Sequence, residues 1–148
     1  MSDSKLRLPK PKLTNHPVDV GQRTEAAILS ELVRRGYSVL LPFGVNQRYD
    51  LVLDLDGKFV RAQCKTGRLR GGSIEFSPRS VRANRSGVFT RSYRGDAEIF
   101  LVLCPQVDRI YAVPVEETPR SHMALRLKPA RNGQARRTHP AEKYELPG

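Results

Sequence analysis

Cysteine and histidine are scarce in this chain, with two of the first and three of the second in 148 residues. Cys64 and Cys104 lie inside apolar, strand-like segments without a CxxC spacing. That argues against a disulfide scaffold or a thiolate metal site and leaves reduced core thiols as the expectation. His16, His122 and His139 are scattered, none at i, i+4, which removes the usual patterns for zinc and for a Ser-His-Asp arrangement. Long apolar runs are missing as well. Val39 to Leu41 and Ile99 to Cys104 are far too short to span a bilayer, and the polar start Met1-Ser2-Asp3-Ser4-Lys5 has no signal-peptide stretch. A cytoplasmic protein without a membrane segment is expected. Gly71-Gly72 lacks a Walker Lys-Ser/Thr and a following helix, which excludes nucleotide hydrolysis of the P-loop kind.

Acids are in short supply relative to bases. Lys and Arg number 26 against 15 Asp and Glu, a formal charge of +11, and 39% of residues are hydrophobic. The chain therefore holds one globular domain with a basic surface, whose usual partner is nucleic acid. The positive charge falls in three places. The first is residues 1–17, a flexible basic arm with Lys5, Arg7, Lys10 and Lys12 among prolines. The second is a basic loop over 66–95, with Arg68, Arg70, Arg79, Arg82, Arg85, Arg91 and Arg94 against the single acid Glu75, and room for one strand from Ser73 to Phe76. The third is a basic tail with Arg131, Arg136 and Arg137. Residues 18–148 form the single domain.

A helix is expected from Asp19, where Asp19-Val20-Gly21-Gln22 has capping-box spacing, to Arg35, with Gly36 as the stop. Ile28, Leu29 and Leu32 make its apolar stripe, and Glu25 projects from that same core-facing side. Tyr37 to Leu41 reads as a strand. Residues 49–55 and 58–65 flank Asp56-Gly57, the dipeptide of a type I′ hairpin turn, so Leu55 pairs with Lys58 and opposed residues sum to 113. In that register Leu51, Leu53, Leu55, Val60, Ala62 and Cys64 share the face under the helix. Asp50 faces Gln63, with Lys65 beside it on the other face, since opposed Cβ atoms lie about 5 Å apart and i, i+2 neighbours about 7 Å. Ala97 to Cys104 reads as a central strand. Arg109 to Val115 follows it after a turn at 105–108, with Pro114 at a sheet edge, and Ala124 to Lys128 is a further strand.

Glu25, Asp50, Gln63 and Lys65 form a set with a chemistry. Cleaving a phosphodiester calls for a divalent cation to neutralise a nonbridging oxygen and activate water, and a hard ion such as Mg²⁺ binds one or two carboxylates while keeping waters. Asp50 and Gln63 supply oxygens, Glu25 can hold a second ion or an outer-shell water, and Lys65 stabilises developing charge or takes a proton. A solvated polar sheet face could carry the same letters.

The order of a helical Glu, a strand opened by Asp, a hairpin and an x-Lys pair resembles the PD-(D/E)XK nuclease superfamily. Gly21-Gln22-Arg23-Thr24-Glu25, Arg48-Tyr49-Asp50-Leu51 and Gln63-Cys64-Lys65-Thr66-Gly67 resemble the branch that includes a group I intron homing endonuclease. Tyr93 to Phe100 and Ile110 to Glu117 are similar to that branch too. The resemblance, over roughly residues 19 to 145, implies an α/β restriction-endonuclease-like core, α-β-β-β-α-β, with flanking helices on a mixed sheet. It further implies Mg²⁺-dependent endonuclease action on double-stranded DNA, with Mn²⁺ able to substitute. Asp50, Gln63 and Glu25 would be metal ligands, Lys65 the catalytic lysine, and the arginines of 66–95 the DNA contacts. Tyr49 stands where the superfamily usually has proline. Gln63 stands where it usually has an acid, which brings no negative charge and predicts weaker metal binding. Cutting both strands implies a homo-oligomer, a dimer or larger. A Holliday-junction resolvase and a catalytically silent DNA-binding module of the same fold are the rival readings.

Overall fold

A computed structural model describes residues 6–128 and 138–147. Arg131, Arg136 and Arg137 of the expected tail, and Lys5 of the arm, lie outside the described residues. Residues 6–16 carry no helix or strand and are exposed.

The helix α1 spans Pro17–Arg34 and begins two residues before the expected Asp19. Proline fits the first helical position because its missing N–H is one that the helix leaves unpaired there. His16 is the cap, its Nδ1 accepting from the Val18 N–H at 3.3 Å. Asp19 instead occupies the first turn, where it accepts from the Thr14 hydroxyl and complements the helix dipole. Gly36, at φ +90°, ends the helix as expected. Its N–H donates to Val33 O and the Tyr37 N–H to Leu32 O, the paired bonds of a Schellman stop.

Five strands make the central sheet: β1 (Ser38–Leu40), β2 (Leu51–Leu55), β3 (Lys58–Thr66), β8 (Ile99–Cys104) and β9 (Arg109–Pro114), in the order β1-β2-β3-β8-β9. The register of β2 with β3 runs from Leu51 opposite Ala62 to Leu55 opposite Lys58, as the Asp-Gly turn predicts. Asp56 and Gly57 both take positive φ, +54° and +89°, which a type I′ turn requires. β3 and β8 are parallel, and β9 returns antiparallel at the edge, ending at Pro114.

Each face of this sheet is covered differently. Ile28 and Leu32 of α1 pack on Leu51, Leu53, Ala62, Leu101 and Leu103. The other face, with Phe100, Val102, Tyr111 and Val113, packs on Ile74, Phe76, Met123 and Leu125. Fully burying one such side chain contributes about 1.5–3 kcal/mol. Those partners belong to a second sheet, ordered β11-β10-β5-β4, of β4 (Arg68–Arg70), β5 (Ser73–Phe76), β10 (Met123–Arg126) and β11 (His139–Pro140).

The segment 66–95 departs from the expected loop. It holds β4, β5 and a separate two-stranded hairpin, β6 (Arg79–Asn84) with β7 (Gly87–Ser92). Arginines around it hide the period-2 pattern of Ser73-Ile74-Glu75-Phe76, which turns Ile74 and Phe76 inward, while all three residues of Arg68-Leu69-Arg70 are exposed. Gly71-Gly72, at φ +57° and +77°, closes β4 onto β5 as a tight turn. The fold class is the mixed α/β, restriction-endonuclease-like one expected. The helix of the α-β-β-β-α-β order between its third and fourth strands is here replaced by β4 to β7, and α1 is the one α-helix among the described residues. Glycines and β-branched residues in that crossover disfavour helix. Gly67 is essential to the layering: a Cβ there would stand 2.6 Å from Ile74 Cγ2 and 3.0 Å from Val102 Cγ1.

Candidate active site

The site is made by a mismatch of strand lengths. β2 starts at Leu51, so Gln63 to Thr66 of β3 are paired only with β8 and leave one side of β3 open. Asp50 sits at that corner. Its N–H donates to Ala62 O at 2.8 Å, and its Oδ2 accepts from the Cys64 N–H at 2.8 Å, in place of a further ladder bond. From the helix side, the Thr24 and Thr66 hydroxyls share a 2.6 Å hydrogen bond that ties α1 to the end of β3 and brings Glu25, the next residue, over the same corner.

The charges here are held against their preference. Burial pushes the Asp50 carboxyl up, only partly offset by the Cys64 N–H and by Lys65. Glu25 is also pushed up, first by burial and then by the Asp50 charge. Burial lowers Lys65 to about 8, with Arg48 pushing the same way and Asp50 opposing. The Cys64 thiol is pushed up by burial and by both carboxylates, so it is no nucleophile. Both cysteines are free, as expected.

Of the four expected site residues, Glu25, Asp50 and Lys65 are thus in electrostatic contact through Asp50. Gln63 occupies the register position next to Asp50 and alternates with Cys64, which places it on the face of Lys65. Its half-buried amide has no hydrogen-bond partner among the described residues.

Lys65 is fixed by residues that sequence reasoning did not single out for the site. Its Nζ donates to Arg79 O at 3.1 Å and lies 4.8 Å from the centre of the Tyr93 ring. The Arg48 guanidinium lies 4.2 Å from the same ring. Arg48 donates to Asp96 Oδ2 at 3.2 Å, Ser80 Oγ at 2.6 Å and Ser92 O at 2.7 Å. Two cations on one aromatic face-set are attracted by its quadrupole and kept apart by fixed acceptors. The signal for Arg48 was its place two residues before Asp50. Nothing local tied Tyr93 and Asp96 to this corner, since they reach it only through the crossover.

The seven arginines expected on DNA are spread out. Arg68 and Arg70 share the outward face of β4, opposite the face of Leu69. Arg82 and Arg91 share one face of the β6–β7 hairpin, cross-strand from Phe89 and Ser80, and Arg85 is at its turn. Arg91 also approaches Asp96 at 3.5 Å. Arg79 is half-buried at the hairpin's base, and Arg94 donates to the carbonyls of Glu116 and Thr118.

The donor set suits a hard cation of the Mg²⁺ type: two carboxylates with raised pKa, whose ionisation a cation would favour, and an amide oxygen with no other partner. No third carboxylate, histidine or thiol joins them in a metal-holding group among the described residues.

A helical acid, an Asp at an opened strand end and a lysine two positions past a Gln thus meet at one corner of the sheet. The chain belongs to the PD-(D/E)XK endonuclease family, whose model matches residues 15–147. Among solved structures it is similar to a bacterial homing endonuclease, I-Ssp6803I, with a TM-score of 0.67 and 23% identity over 84% of this chain and 85% of that one. No curated protein matches it. No helix among the described residues is long and apolar enough to cross a membrane.

Proposed function

We propose that this nuclease is a Mg²⁺-dependent endonuclease that hydrolyses phosphodiester bonds in double-stranded DNA, of the homing or mobile-element type. The observation that carries the reading is the convergence of Glu25, Asp50 and Lys65 on the open end of β3, each charge displaced from its ordinary pKa. Perturbed groups that meet at one point, on a basic chain, fit the handling of a charged phosphate.

Asp50, Gln63 and Glu25 would hold Mg²⁺, or Mn²⁺ in its place. When bound, the ion supplies charge neutralisation at the phosphate and an acidified water. Lys65, held by Arg79 O and Tyr93, presents an ammonium to the charge that develops on the phosphate oxygens. With a pKa near 8 it also sits within reach of proton exchange at neutral pH. Glu25 positions water on the helix side. The arginines of β4 and the β6–β7 hairpin contact the DNA backbone, with residues 1–17 as a further basic arm to the domain of 18–148. Cleavage of a duplex calls for two such sites in a homo-oligomer. The homing assignment rests on the likeness to the homing endonuclease I-Ssp6803I, and a cytoplasmic setting accords with the two free thiols.

Supercoiled plasmid incubated with and without Mg²⁺ tests the reading. Nicked and linear products are expected only with the ion. Asp50→Ala and Lys65→Ala should remove them while DNA binding remains, and full activity in either variant would contradict the assignment. DNA binding without cleavage by the unaltered chain would instead identify a silent module, with Gln63 as its cause. Preference for a four-way junction over linear duplex would identify a resolvase.

A further inference from the structure

A cavity of about 480 Å³ lies outside the carboxylate corner, lined by Arg79, Arg94, Arg120, Ser92 and Thr118 with two prolines. Three guanidiniums border it and no carboxylate does. None of the three arginines forms an ion pair among the described residues. Arg79 Nε is buried with no hydrogen-bond partner, and its Nη2 has only a long 3.4 Å contact to Thr90 O. Arg94 is anchored by Nη2 to the carbonyls of Glu116 and Thr118, which aligns its guanidinium and leaves its other N–H groups unspent.

Like charges collected around one cavity repel, and a buried guanidinium N–H without an acceptor costs about 1–3 kcal/mol or more. An acceptor-rich anion in the cavity relieves the repulsion. Guanidiniums are donors only, in a fork that matches phosphate oxygens, and the volume exceeds that of one phosphate with part of its sugar.

The cavity also touches the site through the backbone. The carbonyl of Arg79 accepts from Lys65 Nζ, and the carbonyl of Ser92 accepts from Arg48. The segments that line the cavity are therefore the ones that fix the site lysine and its neighbouring cation.

We propose that the cavity bounded by Arg79, Arg94 and Arg120 is a phosphate clamp that seats one backbone phosphodiester of the DNA strand beside the scissile one. The DNA source rests on the nuclease reading above, whereas the affinity for phosphate rests on the cavity alone. Arg120 comes from the turn after the 3₁₀ segment Val115–Glu117, far in sequence from the arginines of 66–95, and only the fold brings it to Arg79.

Arg120 is exposed, so its replacement spares the core. Full-length Arg120→Gln and Lys58→Gln, the latter an exposed charge at the closed end of the hairpin, are compared in two assays without metal. The first is duplex-DNA affinity against salt. Arg120→Gln should bind roughly tenfold more weakly near 0.1 M salt and lower the log–log slope by about one, with little change for Lys58→Gln. The second is thermal stabilisation by inorganic phosphate, expected for the unaltered chain and reduced in Arg120→Gln. Phosphate stabilisation with an unchanged DNA slope would overturn the DNA source in favour of a free phosphate ligand. No effect of Arg120→Gln in either assay would overturn the clamp. Loss of nicking plays no part in either readout, so a failed nuclease reading and a failed clamp are distinguished.

Discussion

The body of the β2–β3 hairpin and its open end carry the same kinds of charge and treat them in opposite ways. At the closed end, beside the Asp56-Gly57 turn, Asp54 Oδ1 accepts from the Gly57 N–H at 2.7 Å. In the body of the hairpin, opposite Val52, Arg61 donates to both Glu98 oxygens at 2.8–3.0 Å, which holds the Glu98 carboxyl below its usual range and raises the guanidinium. At the open end Asp50 and Glu25 are pushed up and Lys65 is pushed down, so each charged form is disfavoured by the fold. The Arg61–Glu98 pair in the body of the hairpin is neutralised within the chain. The open end keeps two carboxylates and an ammonium whose mutual attraction does not offset their burial, which is the arrangement of groups that meet external charges.

The largest contrast is expected in activity. Asp50→Ala and Lys65→Ala should lower the plasmid-nicking rate by about 10²–10³-fold or more, the scale of removing one group that stabilises transition-state charge. Arg61→Ala should leave that rate within about twofold, and a comparable loss there would erase the distinction between the paired body of the hairpin and its open end.

Stability should invert the order. Lys65 titrates near 10.5 when unfolded and about 8 when folded, so the unfolded chain binds more protons between those values. The penalty is complete below pH 8 and fades as pH rises to 10.5. Lys65→Met should therefore raise unfolding free energy at pH 7 by on the order of 1–3 kcal/mol, with the gain shrinking across pH 8–10.5. Denaturant melts at pH 7 and 10 check this, and a variant less stable at both would place Lys65 among ordinary structural charges. Gly67→Ala, just past the end of β3 and against the second sheet, should cost about 1–3 kcal/mol because its Cβ overlaps Ile74. Arg61→Ala should cost about 0.2–1 kcal/mol, the range of an exposed ion pair.

Gln63→Glu sharpens the contrast at the open end itself. A third carboxylate should tighten Mg²⁺ binding, read by calorimetry, while lowering stability in metal-free buffer. Unchanged metal affinity would remove Gln63 from the ligand set.

The ends also differ in how far sequence alone exposes them. The hairpin register was legible because Asp56-Gly57 permits a two-residue turn and every pairing follows from it. Glu25 was legible because helical spacing puts it on the side of Ile28 and Leu32. The helix start was misplaced because Asp19 imitates a cap, while Pro17 and His16 supply the real one. The crossover was hidden because its exposed arginines mask the short alternation of the buried Ile74 and Phe76. Arg48, Tyr93 and Asp96 were not legible as a cluster, since residues 48 and 93 meet only after β3 and β8 pair in parallel.

The most direct test replaces Asp50 with asparagine, which retains an oxygen for the Cys64 N–H and removes only the charge. Nicking rate and unfolding free energy are measured together on that variant at pH 7. The expected result is loss of Mg²⁺-dependent nicking with stability equal to or above that of the unaltered chain. Retained nicking, or a loss of stability on removing the charge, would contradict the assignment of the open end of β3 as the catalytic centre.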